Sequence, residues 1–243
     1  SEQVVKLLKE ISKPIKSKDE IRQVATISAE SEEIGKIIAD TIEKVGKDGV
    51  VTVEESQSFG VDSEVVRGME FDKGYVSPYM ITNGDRMEAE FKDSPILVTD
   101  RKISSIKEIL PLMEKLAQSG KKELIIIAED VDGDALATLI LNKLRGAFNV
   151  LAIEAPGFGD EKKSLLEDIA ITIGAKPVFS VLNNKLEDTD LNMLGRANKI
   201  ISSKENTIII GGKGKKSEIE ARISQLKKQK EVIDSKYEIE KYE

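Results

Sequence analysis

The chain has 243 residues, 40% of them hydrophobic, enough for one large or two modest globular domains with a real core. Its 37 Lys and Arg against 44 Asp and Glu give a net charge of −7, without the basic excess that phosphate backbones demand, so nucleic acid is not an expected partner. With no Cys and no His, disulfides, thiol nucleophiles, zinc sites of the usual ligands and imidazole acid-base chemistry fall away, and no run approaches the roughly 18 apolar residues of a membrane span, so no membrane partner is expected.

In chain order, Ser1-Glu2-Gln3 leads directly into an amphipathic helical run, VVKLLKEIS, and the chain closes in a charged helical tail, EIEKYE. Neither end is expected to be a natural terminus. Pro14 interrupts Ser12 to Lys16, and the next predicted helix runs from about Ser31 to Val45. There Ile34, Ile37, Ile38, Ile42 and Val45 form a stripe of ordinary width, Ser31 is placed to cap the start and Gly46 to end it. A turn at Lys47-Asp48-Gly49 opens the β-like run VVTVEE, and DSEVVRGMEF follows the polar loop SQSFG. Gly68 inside that second run marks a bulge, a close approach or a hinge. It stands where the pattern changes from helical to strand-rich, which predicts domains at residues 1–66 and 67–243.

Residues Asp72 to Met80 hold Tyr75 and Tyr79, two of only four Tyr in the chain, beside Met80 and Ile81. Tyr suits a half-wet surface, where its ring is buried by a ligand and its hydroxyl stays hydrated; the same pattern also fits a Pro-containing segment on a core edge. After the loop TNGDRM, FKDSPILVTD reads as strand. From Ile103 to Ala117, the apolar Ile106, Ile109, Leu110, Met113, Leu116 and Ala117 cover more than one helix face, with Pro111 tolerated near a first turn.

The stretch from Leu124 to Asp160 reads as a β-α-β unit, with apolar runs Leu124 to Ala128 and Val150 to Ile153 around a helix. Asp132 or Asp134 is placed to cap that helix, and Gly146 to stop it. Ala135, Leu136, Ala137, Leu139, Ile140, Leu141 and Leu144 spread over roughly 240° of its circumference, far wider than the stripe of an ordinary surface helix. One side packs on the sheet; the other is either covered by the same domain or, with the helix around Leu110, lines a groove for a partner. Further on, KKSLLEDIAITIG reads as a helix capped by Asp160, and KPVFSVL as a strand, followed by DTDLNMLGRANKIIS and NTIIIGG. A final helix from Lys215 carries a seam at Ile219, Ile223, Leu226, Ile233 and Tyr237 that suits a helical hairpin, broken at Asp234-Ser235. The fold class is mixed α/β, with a β-α-β core and flanking helices.

Nucleotide motifs fail. Gly157-Phe158-Gly159 is followed by Lys162 where a third glycine is required, and Gly214-Lys215 lacks both the upstream Gly, replaced by Ile209, and the following Ser or Thr. The adjacent Glu129 and Asp130 are better explained as helix-start acids than as acid-base or metal groups, which leaves a Rossmann-like small-molecule enzyme only as the alternative reading.

Four segments, RGMEFDKGYVSPYM, KISSIKEILPLMEKLA, LIIIAEDVDGDALATLILNKLRG and APGFGDEKKSLLEDIA, resemble in order and spacing the apical domain of the group I chaperonins, the GroEL family. VATISAESEEIGKIIADTIEKVGKDGVVTVEE is similar to the first half of the family's intermediate domain, and SQLKKQKEVIDSKYEIEKYE to the closing apical helices. The resemblance covers essentially the whole chain. It implies an apical polypeptide-binding domain at 67–243 preceded by a partial intermediate domain at 1–66, with Gly68 as a hinge. It also implies a groove that takes exposed hydrophobic segments of unfolded proteins and the mobile loop of a co-chaperonin lid. Carried over by motif, its residues are Tyr75, Tyr79, Met80, Leu110, Met113, Leu136, Ile140 and Leu141, with Asn142 and Arg145 as polar neighbours. Met80 stands where Phe is usual and Met113 where Leu is usual, changes that keep an adaptable apolar surface. Lys73 takes a position often held by Arg in an interdomain or intersubunit salt bridge. The family's Gly-Asp-Gly-Thr-Thr phosphate motif is absent from this sequence, as is the intermediate-domain return segment bearing the water-activating Asp. The resemblance therefore implies ATP and Mg only for the full-length protein, where the other partners are ring subunits in a seven-membered ring. It implies a bacterial cytosol, mitochondrial matrix or plastid stroma as the compartment.

Overall fold

The computed structural model describes residues 11–15, 17–46, 51, 60, 61, 63, 65, 68–182 and 185–232. All but the last two residues of the helix expected in VVKLLKEIS, all but Val51 of the run VVTVEE, and the seam and break from Ile233 onward lie outside the described residues. The chain divides into two compact units, Ser1–Val65 and Val66–Glu243.

In the first unit two helices, α1 (Lys18–Ala29) and α2 (Glu32–Val45), pack on each other across a two-residue connection, which makes them an antiparallel hairpin. α2 is capped as expected: Ser31 Oγ accepts from the Ile34 amide at 3.4 Å, and Gly46 closes the end with φ 82°. α1 was not expected. Its apolar pattern is weak, with Val24 and Ile27 exposed and only Ala25 buried, but its start carries a capping box in which Ser17 and Glu20 satisfy each other's backbone amides. Lys18, at the start of α1, pairs with Asp40 at 2.7 Å and Glu43 at 2.6 Å near the end of α2.

The second unit is built on a mixed sheet of seven described strands in the order β1 (Gly68–Phe71), β9 (Thr207–Gly212), β8 (Gly195–Ser202), β3 (Pro95–Val98), β5 (Glu123–Ala128), β7 (Asn149–Glu154), with β2 (Ala89–Lys92) also paired to β8. β3, β5 and β7 are parallel to one another and buried except at Glu123, Asn149 and Glu154 on their ends, reading as apolar runs; the other pairings are antiparallel. A short parallel pair, β4 (Lys102–Ile103) with β6 (Asp130–Val131), stands apart. The expected β-α-β unit is β5, α4 (Gly133–Leu144) and β7; ahead of it α3 (Leu110–Gln118) carries Pro111 in its first turn. The crossovers β3-α3-β5 and β5-α4-β7 step the same way along the sheet, so their right-handed sense sets α3 and α4 side by side on one face. α5 (Gly159–Ile173) packs on β3, β8 and β1, and α6 (Lys216–Val232) packs on α5.

Three local expectations are corrected. Asp132 occupies the N-cap position of α4, but its side chain makes no cap bond; it accepts from Ser104 Oγ at 2.6 Å and pairs with Lys102, while Asp134 reaches the Ile106 amide at 3.4 Å. α5 starts at Gly159 behind Phe158, which places Asp160 inside the first turn and not at the cap. KPVFSVL contributes a single bridge, Val178 to Thr99, because Asp100 takes the Ser180 amide and hydroxyl at 2.8 and 2.7 Å and bends the chain into a 3-10 turn, Ser180–Leu182. Gly68 pairs with Ile210, and a Cβ there would lie 2.2 Å from the Ile209 carbonyl oxygen; the close approach is the local reason for glycine.

Candidate functional site

At about 100° per residue, burial changes smoothly around α4. Ala135 and Leu139 face the core at 0% exposure. Next around the helix come Lys143, Leu136 and Ile140, all half-buried, and beyond them Leu144 and Leu141, exposed at 67% and 45%. The helix is therefore not covered on both sides by its own unit. An apolar flank of α4 stays open to solvent.

α3 contributes less than its composition suggested. Leu112, Met113 and Leu116 are buried, as is Ile109 just before the helix, and only Leu110 of the expected site residues on it is open, at 42%. Met113 is thus a core side chain in this structure. A 3-10 turn, Ile106–Glu108, touches both α3 and α4 and joins their N-terminal ends. Below that turn Lys102 sits 2.6 Å from Asp132 and 3.1 Å from Asp130. The Asp132 carboxyl is held below its usual range by Lys102 and then by the Ser104 hydroxyl, and the Lys102 ammonium is raised by Asp132 and then Asp130.

The third wall is the segment from Gly74 to Ile81, which runs along the outer edge of β7. Gly74 passes so close to Ser203 that a Cβ would lie 2.0 Å from the Ser203 carbonyl oxygen. This lets the Tyr75 amide donate to that oxygen at 3.0 Å while the Glu154 amide donates to Gly74 O, the Val76 amide to Ala152 O, and Tyr75 bridges Ile153. Tyr75 is consequently buried, whereas Tyr79, on the 3-10 turn Pro78–Met80, is 65% exposed. Met80 is 1% exposed, with its sulfur 3.1 Å from the Ala152 amide that donates to it. Of the two Tyr and the Met read together from the sequence, one side chain faces out and two face in. Pairing with β7 turns Tyr75 inward, and the 3-10 turn that follows redirects the chain so that Tyr79 points out and Met80 back in, a long-range relation that no local pattern reveals.

Lys143 was not singled out from the sequence. Its ammonium donates to the carbonyl oxygen of Met80 and, at 3.1 Å, to that of Ile81, and it lies 5.9 Å from the centre of the Phe91 ring. Burial pushes it below the ordinary lysine value. The available signal was a lone Lys at the i+7 position of the Leu136 and Ile140 stripe, inside an apolar arc where a charge needs a specific partner. Asn142 ends α4 by self-contained bonds, Nδ2 to Thr138 O at 2.9 Å and its own carbonyl accepting from Ala147 and Phe148; Arg145 is exposed one turn on. Lys73 spends its charge locally, 2.6 Å from Glu154 and 5.6 Å from the Phe158 ring centre.

Among the described residues, no group of three or more carboxylates is arranged to hold a metal ion. The described residues thus leave an apolar flank of α4 and the Tyr79 ring open to solvent on a mixed α/β domain. The matching family model is that of the TCP-1/cpn60 chaperonin family, over residues 1–229. The chain belongs to that family, whose members are ATPases that assist protein folding as oligomeric rings around client polypeptides.

Proposed function

We propose that residues 67–243 form the apical domain of a group I, GroEL-like chaperonin. This domain captures exposed hydrophobic segments of unfolded polypeptides and the mobile loop of a co-chaperonin. The observation that carries this reading is the open flank of α4, where Leu141 and Leu144 are exposed next to half-buried Leu136 and Ile140. An extended apolar segment docked there gains burial that the domain itself does not supply, at about 25 cal/mol per Å². Tyr79 and Leu110 are exposed too, on elements that adjoin α4 directly or through the Ile106–Glu108 turn.

On this reading residues 1–66 are the first part of an intermediate domain, Gly68 is the hinge, and ATP with Mg binds elsewhere in the full-length protein. What supports this is the sequence: its two glycine-rich turns lack the phosphate-loop pattern. The chain then binds clients without hydrolysing ATP. Its further partners are sister subunits of a seven-membered ring, in a bacterial cytosol, a mitochondrial matrix or a plastid stroma. The test is fluorescence anisotropy with a labelled apolar peptide, competed by an unlabelled co-chaperonin loop peptide. Saturable binding that the loop peptide displaces supports the reading, and no binding at concentrations well above micromolar sinks it.

A further inference from the structure

We propose that Lys143 is the positioning residue for the Pro78–Met80 turn, holding it on α4 so that Tyr79, and not Met80, is the side chain the turn presents to a docked peptide. The inference rests on the reading of α4 as a peptide-binding element. Three observations meet at this lysine. It lies on the apolar arc of α4 between core-facing Leu139 and the half-buried Leu136 and Ile140. Its ammonium bridges two successive carbonyls, Met80 and Ile81, of a segment that has no strand partner at that point, and stands over the Phe91 ring. Met80 is sunk against β7 through its sulfur, with its amide bonded to Ser77 O at 3.0 Å, so the turn cannot offer Met80 without leaving the sheet.

The chemistry suits a fixed clamp. An ammonium donor to carbonyls in a half-buried site makes charge-assisted bonds stronger than neutral ones, and the ring face adds a favourable cation contact. Burial already lowers the lysine from its ordinary range, so the charge is retained there at a cost that these contacts offset. A turn clamped at Met80 and Ile81 leaves Tyr79, the residue between Pro78 and the anchor, as its only outward aromatic side chain, at 65% exposure.

The experiment compares wild type, Lys143→Met and Lys143→Arg in the whole chain. Amide hydrogen exchange of residues 77–81, measured without ligand, should speed up about tenfold in Lys143→Met and return towards wild type in Lys143→Arg. A fluorescein-labelled peptide of alternating leucine and serine then reports binding, with Tyr79→Ala made alone and together with Lys143→Met. Each single change should weaken the peptide about five- to tenfold, and the double change should be little weaker than either alone, because both remove one presented ring. Unaltered exchange at 77–81 in Lys143→Met, or fully additive losses in the double variant, overturns the proposal. A wild type that binds no peptide counts against the function proposed above, while the exchange measurement still decides the role of Lys143.

Discussion

Arg222 of α6 places its Nε 2.5 Å from Asp168 Oδ1 of α5, with both side chains only 15–16% exposed, and its Nη2 reaches Ser164 Oγ at 2.9 Å. α6 has little else to hold it. Ile223 is 45% exposed, and Ile219 and Leu226 are only half-buried. An ion pair at this depth is weak evidence for net stabilisation, but removing one partner strands the other charge. Arg222→Met should therefore destabilise the second unit by on the order of 3 kcal/mol in urea melts, with faster hydrogen exchange along α6. Pairing it with Asp168→Leu should recover much of the loss. Equal stability of Arg222→Met and wild type would show that α6 is held by its apolar contacts alone.

Gly35 fixes how closely α1 and α2 approach. A Cβ at Gly35 would lie 2.1 Å from Thr26 Oγ1 and 2.7 Å from the Thr26 Cα and N. Helix propensity alone favours Gly35→Ala by about 1 kcal/mol, but a clash with backbone atoms cannot be relieved by turning a side chain. The variant should lower the melting temperature of the hairpin followed by circular dichroism, and Thr26→Ala should not rescue it. A rise in melting temperature would mean that the helices separate freely and propensity wins.

These two sites show what was legible in the sequence. β5, α4, β7 and α2 were readable because their signals are local: apolar runs, a 3.6-residue period, Ser31 before the helix and Gly46 after it. α1 was missed because its stripe buries only Ala25, although Ser17 and Glu20 had already written its start into the sequence. The width of the apolar arc on α4 was also legible, and its flank at Leu141 and Leu144 is not covered by the same unit. Leu136, Ile140 and Leu141 on that flank were legible from the same arc, whereas the burial of Tyr75, Met80 and Met113 was not. Tyr75 and Met80 are turned inward by pairing with Ile153 and Ala152, more than 70 positions away in the chain, and Met113 joins the core cluster.

The group at the start of α4 should respond to pH. The folded-state value of Asp132 is depressed by Lys102 and Ser104, so its contribution is present above the ordinary aspartate value of 3.8 and is lost as pH falls through the lower folded value. Lys102 is raised, so its part is present below 10.5 and lost as pH rises through the higher folded value. Thermal melts of wild type and Lys102→Met should differ most between those limits and converge below the depressed Asp132 value. Since both groups are exposed, added salt should shrink the difference. A gap that persists unchanged into strong acid would assign the effect of Lys102→Met to packing of its stem.

Leu139 and Leu141 lie two residues apart on α4 and should behave oppositely. Leu139 is 0% exposed and Leu141 is 45% exposed. Leu139→Ala opens a cavity under the helix, which costs about 2–5 kcal/mol in stability. Leu141→Ser removes a side chain that the free domain leaves largely in water, so the stability change should stay within about 0.5 kcal/mol. Peptide binding should show the reverse weighting once stability is accounted for. A docked apolar segment covers Leu141, and losing that contact should weaken the alternating leucine-serine peptide about tenfold, close to 1.4 kcal/mol and less than the 1.5–3 kcal/mol for fully burying such a side chain. Leu139→Ala, measured at a temperature where it remains folded, should bind the peptide nearly as tightly as wild type. The two variants thus separate what holds the helix from what the helix holds. Should Leu141→Ser unfold the domain as readily as Leu139→Ala, or leave peptide affinity untouched, the exposed flank of α4 would not be the binding surface.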